Sequence, residues 1–214
     1  MIDIDKSGAK SLGGGIEFVC GDIGDAAFLD DFARGLDSPV DIVVNNACIS
    51  RRGLLSGCGY SDFLYVLQVG LVAPYYIVNS LRNSGKLALG AAICNIASTR
   101  ANQSQPDTES YSAAKGGLLA LTHAMAASLA GVARVNAISP GWIENDPAAV
   151  HTAADSAQHP AGRIGKPRDI AEMALFLCDN NKAGFITGQN FVIDGGMSGL
   201  MIYHNDNKWK FEER

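Results

Sequence analysis

Residues 91–139 read AAICNIASTRANQSQPDTESYSAAKGGLLALTHAMAASLAGVARVNAIS. An apolar, β-prone run (Ala91–Ala97) ends at Ser98, and a polar stretch follows it. A long apolar run of helical spacing then covers Tyr111–Ala130, and a second β-prone run covers Arg134–Ile138. Strand, helix and strand in that order form the repeating unit of a parallel sheet. Within this unit Tyr111 and Lys115 stand four residues apart, on one face of the helix. A free phenol titrates near about 10 and is a poor acid–base group at neutral pH. An ammonium held within a few ångströms favours the phenolate and draws it toward the working range. Ser98, at the strand end, is placed to hold a substrate oxygen beside the phenol.

Chance alone yields about 0.2 Tyr-x-x-x-Lys pairs in a chain of this composition, so the pair carries weight only through its neighbours. Those neighbours are present. Asn45-Asn46-Ala47 follows DIVV, Ser98 stands thirteen residues before Tyr111, Pro140-Gly141 follows RVNAIS, and Asp194-Gly195-Gly196 follows FVI. In order and interval these motifs resemble the short-chain dehydrogenase/reductase family, and in particular its 3-oxoacyl reductases, over residues 1–197. The resemblance implies a doubly wound, Rossmann-like parallel sheet and hydride transfer between NAD(H) and a small ketone or secondary alcohol. It implies Tyr111 as acid–base, Lys115 as modulator of its pKa and ribose ligand, and Ser98 as the donor to the substrate oxygen. It further implies a homodimer or homotetramer.

Other parts of the chain give the same α/β pattern. Strand-like runs occur at Ile2–Asp5, Ile16–Cys20, Asp41–Asn45 and Asn190–Ile193, and helical runs at Ala26–Leu36, Asp62–Arg82 and Arg168–Cys178. With 214 residues, 47% of them apolar, the chain suits one globular domain with a sizeable core. A net charge of −5 argues against nucleic acid and anionic membranes as partners. Five scattered cysteines, three of them in apolar strand or helix patterns, read as buried free thiols of a reducing cytoplasm. No apolar run reads as a membrane span, and no His, Cys or Asp spacing reads as a metal site.

The start of the chain departs from the family. Dinucleotide folds open on a strand, a glycine-rich turn and a helix whose N-terminus faces the pyrophosphate. Here Gly13-Gly14-Gly15 precedes a strand-like run, whereas a phosphate turn follows one. MIDID resembles the family's second strand, which puts Asp3 where a carboxylate grips the adenine ribose and repels a 2′-phosphate, favouring NAD over NADP. About 30 residues, one βα unit, are therefore expected to be lacking. Without its central strand the sheet has to close, pair across subunits, or leave two edges free.

By the same resemblance Asp22 and Ile23 hold and cover the adenine. Asn45, Asn46 and Ala47 line the adenosine side, and Pro140, Gly141 and Ile143 face the nicotinamide. Three positions depart from the pattern: Cys48 for glycine, Gly70 for a helical asparagine, and Asn145 for threonine. Ser61 reads as the cap of the helix that carries Gly70. Residues 146–162 form a short lid, with His151 and His159 facing solvent. Residues 198–214 are a tail whose Ile202, Tyr203, Trp209 and Phe211 suit docking on this or a neighbouring subunit. The lost phosphate turn and these departures support a second reading, a cofactor-free scaffold or subunit partner.

Overall fold

The computed structural model describes residues 1–7, 13–203 and 206. Its main sheet has four parallel strands in the order β3 (Val40–Asn45), β4 (Leu87–Ile96), β5 (Ala133–Pro140) and β6 (Asn190–Ile193). Period-two alternation along the central strands sends side chains to both faces. Ala91, Ile93, Ala133 and Val135 meet α1 (Ala26–Gly35), α3 (Ala73–Asn83) and α4 (Glu109–Ser128) on one face. Cys94, Ile96 and Ile138 meet Leu177, Ile170 and Met173 of a further helix (Pro167–Cys178, α6 below) on the other. Helices on both faces of a parallel sheet make the doubly wound fold.

The expected gap remains open. Strands β1 (Ile2–Asp3) and β2 (Val19–Cys20) pair in parallel as a separate two-stranded sheet. Between this sheet and β3 lies a slot of about 500 Å³, walled by Ile2, Asp3, Ile42, Val44 and side chains of α1 and α3. Ile42 and Val44 are about half exposed there. The four-stranded sheet gains its stability from the opposite side, where β4 and β5 are buried along most of their length.

The helix read over Asp62–Arg82 is longer and not uniform. It comprises α2 (Tyr60–Leu67), a π-helical turn (Gln68–Val72) and α3. Pro74 has no N–H to offer the carbonyl of Gly70, and the chain widens to a π turn immediately upstream. The N-cap is Gly59, without a side-chain bond, so Ser61 does not cap it. Contrary to the expectation of no membrane-length run, Tyr60–Asn83 is long and apolar enough to cross a bilayer by length and composition. Half of its apolar window is buried in packing, because α3 lies against α1 and the π turn against α4.

The cysteines are free, but only Cys94 is fully buried, and burial pushes its thiol up to about 12. Cys20 is exposed, which corrects the expectation of a buried thiol at the end of β2. Ile202 and Tyr203 are exposed, and Trp209 and Phe211 lie outside the described residues.

Candidate active site

Ser98 leaves the carboxyl end of β4 and caps a 3₁₀ turn (Thr99–Ala101), its Oγ accepting the Arg100 amide at 3.2 Å. The chain then returns through Gln103–Thr108 into α4. Leu118 anchors that helix on Ala97 and Ala137, which holds the preceding turns, with Tyr111 and Lys115, over the strand ends. Lys115 is 2% exposed, and its Nζ donates to the Ile96 carbonyl at 2.5 Å. The same Nζ stands 5.6 Å from the centre of the Tyr111 ring. Ser98, Tyr111 and Lys115 are thus brought together.

Burial dominates the electrostatics of this pair. It raises the Tyr111 phenol above its ordinary value; the Ser98 hydroxyl pulls it back, Cys48 adds to the rise, and Arg100 opposes it. Burial also lowers the Lys115 ammonium, while Cys48 holds its proton on. A charged form costs more in a desolvated site, so both groups are displaced toward neutrality. The phenol therefore rests protonated, as a hydrogen-bond donor and acid.

Two cavities meet at Ser98 and Tyr111. A cleft of about 860 Å³ is lined by Cys48, Ser98, Tyr111, Lys115, Pro140, Gly141, Ile143 and Asn145, with α6 (Pro167–Cys178) closing one side. On the other side of the two hydroxyls lies a pocket of about 540 Å³. Its wall includes Arg100, Gln103, Gln105, Trp142, Gln158 and Asp194. The adenosine-side residues gather elsewhere: Asp3, Ile23, Asn45, Asn46 and Ala47 line the slot between the sheets, and Asn46 borders the cleft as well.

Several predicted residues have structural partners. Asn45 donates to Asn95 at 2.8 Å, and Asn95 donates to Thr122 of α4 at 2.9 Å, a ladder that ties β3 through β4 to the helix bearing Tyr111. The Asp22 carboxylate accepts the Tyr65 hydroxyl at 2.8 Å and the Gly24 amide at 2.8 Å. Asp3 accepts the Asp5 amide at 2.9 Å and is otherwise exposed. A Cβ on Gly141 would lie 2.5 Å from the Asp194 Cβ and 2.9 Å from its Cα. Glycine there lets β5 and the turn after β6 touch.

Of the two lid histidines, His159 is buried rather than solvent-facing, and His151 is half-buried. The lid holds a short helix, α5 (Ala153–Ala157), with a capping box between Thr152 and Asp155. Beyond it His159 is 2% exposed, with Nδ1 3.2 Å from the Asp155 carbonyl. His151 stands edge-on to Trp142, ring centres 5.5 Å apart, and Trp142 also faces His159 at 6.1 Å. Sequence reading missed Trp142, although an aromatic side chain between Gly141 and Ile143 was a legible sign of a packed lid base. It also missed Asp194 as pocket wall, because the glycines after it drew the reading to a turn.

A family model described as enoyl-(acyl carrier protein) reductase matches residues 5–198. An oxidoreductase of Thermotoga maritima is 43% identical over 204 residues, spanning 88% of this chain and 78% of that protein. A 3-oxoacyl-[acyl-carrier-protein] reductase of Chlamydia pneumoniae is 34% identical over 87% of this chain and 78% of its own length. Among solved structures, an apo SCOR enzyme from Clostridium thermocellum superposes with a TM-score of 0.86 at 42% identity, covering all of this chain and 87% of the other. A 4-hydroxyisoleucine dehydrogenase mutant complexed with NADH and succinate gives 0.81 at 28% identity, covering 93% and 87%. A gluconate 5-dehydrogenase from Burkholderia cenocepacia in complex with NADP and tartrate gives 0.77 at 25% identity, covering 94% and 85%. The chain belongs to the short-chain dehydrogenase/reductase family of oxidoreductases and is 3-oxoacyl-reductase-like.

Proposed function

We propose that the chain transfers hydride between NAD(H) and a small polar ketone or secondary alcohol. The observation that carries this reading is the meeting of Ser98, Tyr111 and Lys115 at the junction of the cleft and the pocket. The nicotinamide ring, when bound, supplies or accepts the hydride. In the reduction the Ser98 hydroxyl donates to the substrate oxygen, and the protonated Tyr111 phenol gives that oxygen its proton. Among the described residues Lys115 has no carboxylate partner, and its ammonium stabilises the phenolate that remains.

The residues present fit the two ends of a dinucleotide. Lys115, Pro140, Gly141 and Ile143 line the cleft, and Asp3, Ile23 and Asn45–Ala47 line the slot. Asp3, which among the described residues has no cation partner, favours NAD over NADP, since a 2′-phosphate beside a carboxylate is repelled. The polar pocket wall of Arg100, Gln103, Gln105 and Gln158 suits an oxygen-rich substrate of modest size. Succinate and tartrate in two related structures are ligands of that kind. Exposed Leu64, Val72 and Tyr75 along the α2–α3 helix support a homodimer or homotetramer, and the free cysteines suit a reducing cytoplasm.

A second reading, a cofactor-free scaffold, is favoured by the slot itself. Among the described residues no glycine turn opens a helix between the two ends of the site. Losing two or three hydrogen bonds to a pyrophosphate costs ~3–9 kcal/mol, or roughly 10²–10⁶ in affinity. Titration of the chain with NADH and NADPH separates the readings. Binding of NADH in the micromolar range, stronger than of NADPH, supports the enzyme; no binding at millimolar cofactor supports the scaffold. In the enzyme, Tyr111→Phe lowers turnover by about 10²–10⁴ while leaving NADH affinity within a few-fold.

A further inference from the structure

Arg100 is half-buried in the wall of the pocket of about 540 Å³, on the 3₁₀ turn that Ser98 caps. The hydrogen bond from its amide to Ser98 Oγ fixes the backbone that carries the guanidinium relative to that hydroxyl. Its charge is felt at the Tyr111 phenol, on the same pocket wall. A guanidinium carries five N–H donors in a planar fork. Among the described residues its side chain has one hydrogen-bond partner, the neutral Oε1 of Gln105, to which Nη2 donates. The one other ionised side chain in the wall, Asp194, is not a second partner. Its Oδ1 accepts the Gly196 amide at 2.9 Å, and Oδ2 accepts the Ser198 amide at 2.7 Å and hydroxyl at 2.5 Å, all within the turn after β6. Among the described residues no ion pair involves Arg100.

We propose that Arg100 determines the substrate class: the pocket takes a small keto acid or hydroxy acid, its reacting oxygen at Ser98 and Tyr111 and its carboxylate on the remaining N–H groups of Arg100. Two parallel N–H···O bonds from the fork match a planar carboxylate, and one guanidinium balances one such charge. A dianionic phosphate brings a second negative charge that faces Asp194 without a cation of its own. A neutral ketone or thioester leaves the guanidinium with neutral oxygens alone, in a wall that keeps it half out of water. In the reduction the carbonyl carbon takes a hydride from NADH and its oxygen takes the Tyr111 proton, giving a hydroxy acid and NAD⁺. The carboxylate keeps its charge throughout. The inference rests on the proposed hydride transfer for what happens at the reacting oxygen, but the carboxylate contact is measured without cofactor, so the two can fail separately.

The test sets 3-oxobutanoate, 4-oxopentanoate and 5-oxohexanoate each against its methyl ester, so that the charge changes while the ketone stays. Binding to the cofactor-free chain is followed by the Thr99, Arg100 and Ala101 amide signals in ¹⁵N-labelled protein. At least one acid is expected to bind with a millimolar Kd, about tenfold or more tightly than its ester. In Arg100→Met that preference is expected to collapse to about one. With NADH present the same acid-over-ester ratio is expected in kcat/KM, carried by KM. Equal binding of each acid and its ester overturns the proposal, as does a preference that survives in Arg100→Met. Absence of binding by every acid at about 50 mM overturns it too. Should Arg100→Met not fold, Arg100→Gln is read by the same ratio. Acids that bind through Arg100 without NADH oxidation uphold the carboxylate site and sink the hydride transfer. NADH oxidation with no preference for acid over ester upholds the hydride transfer and sinks this proposal.

Discussion

A buried lysine held by a neutral carbonyl is an expensive feature, and its sign can be worked out. Lys115 binds its proton less tightly in the folded chain than in the unfolded one, where the ordinary value is 10.5. Folding is therefore penalised below its depressed value, and stability rises as pH climbs from there to about 10.5. Tyr111 is displaced the other way, above 10.0, so its contribution is complete below that pH and is lost as pH rises through the folded value. Lys115→Met removes the buried charge but leaves the Ile96 carbonyl without its donor. We expect it to be about 1 kcal/mol more stable than the parent at pH 7 by urea unfolding, and to lose the rise in stability on approaching pH 10.5. A less stable Lys115→Met would mean that the ammonium is solvated better than its burial indicates. Gly141 carries the opposite cost. An alanine there meets the Cβ and Cα of Asp194, which the backbone fixes in place, and overpacking of this kind costs about 1–3 kcal/mol.

Between elements, the loop ahead of α2 is fastened to the entry of α4, with most of the bonds made by the Asp107 carboxylate. Asp107, in the left-handed region at φ 69°, accepts the amides of Gly53 at 3.1 Å, Leu55 at 2.9 Å and Ser56 at 3.0 Å, together with the Ser56 hydroxyl. Glu109 accepts the Leu54 amide, and Ser110 donates to the Arg52 carbonyl at 2.7 Å. Tyr111 follows directly. In Asp107→Ala, amide exchange at Leu55 and Ser56 is expected to quicken about tenfold or more, with Tm falling about 2–4 °C. Unchanged exchange there would show that the loop is held by its own turn. None of this was legible in the sequence, because Asp107 and its partners lie about fifty residues apart and no local pattern links them. The same holds for His159, whose burial depends on the turn after β6. What was legible had a period: the alternation of β4 and β5, the run of α4, and the four-residue step from Tyr111 to Lys115. The π turn was half legible, since Pro74 announced a fault in the helix but not that the helix would widen rather than kink.

At the scale of the whole molecule, β1 and β2 form a sheet separate from the four-stranded one whose β4 ends at Ser98. The four-stranded sheet has helices on both faces. The smaller sheet is two residues of paired strand on each side, and parallel pairing that short contributes little by itself. The slot between them presents the edge of β3 with Ile42 and Val44 half exposed, a surface that favours pairing with another strand. An apolar strand, a glycine-rich turn and an amphipathic helix, joined ahead of Met1, would pair with β1 and β3 and bring helix amides to the middle of the site. Such an extended chain is expected to bind NADH at least about 10² more tightly than residues 1–214, measured by calorimetry, and to unfold at a higher temperature. Replacing the turn glycines by aspartate in the extended chain separates the two gains. The strand still fills the slot, so the thermal gain persists, while the carboxylates repel the pyrophosphate and the affinity gain disappears. Should residues 1–214 alone bind NADH as tightly as the extended chain, the two halves of the site must already be held in register by contacts other than a strand in the slot.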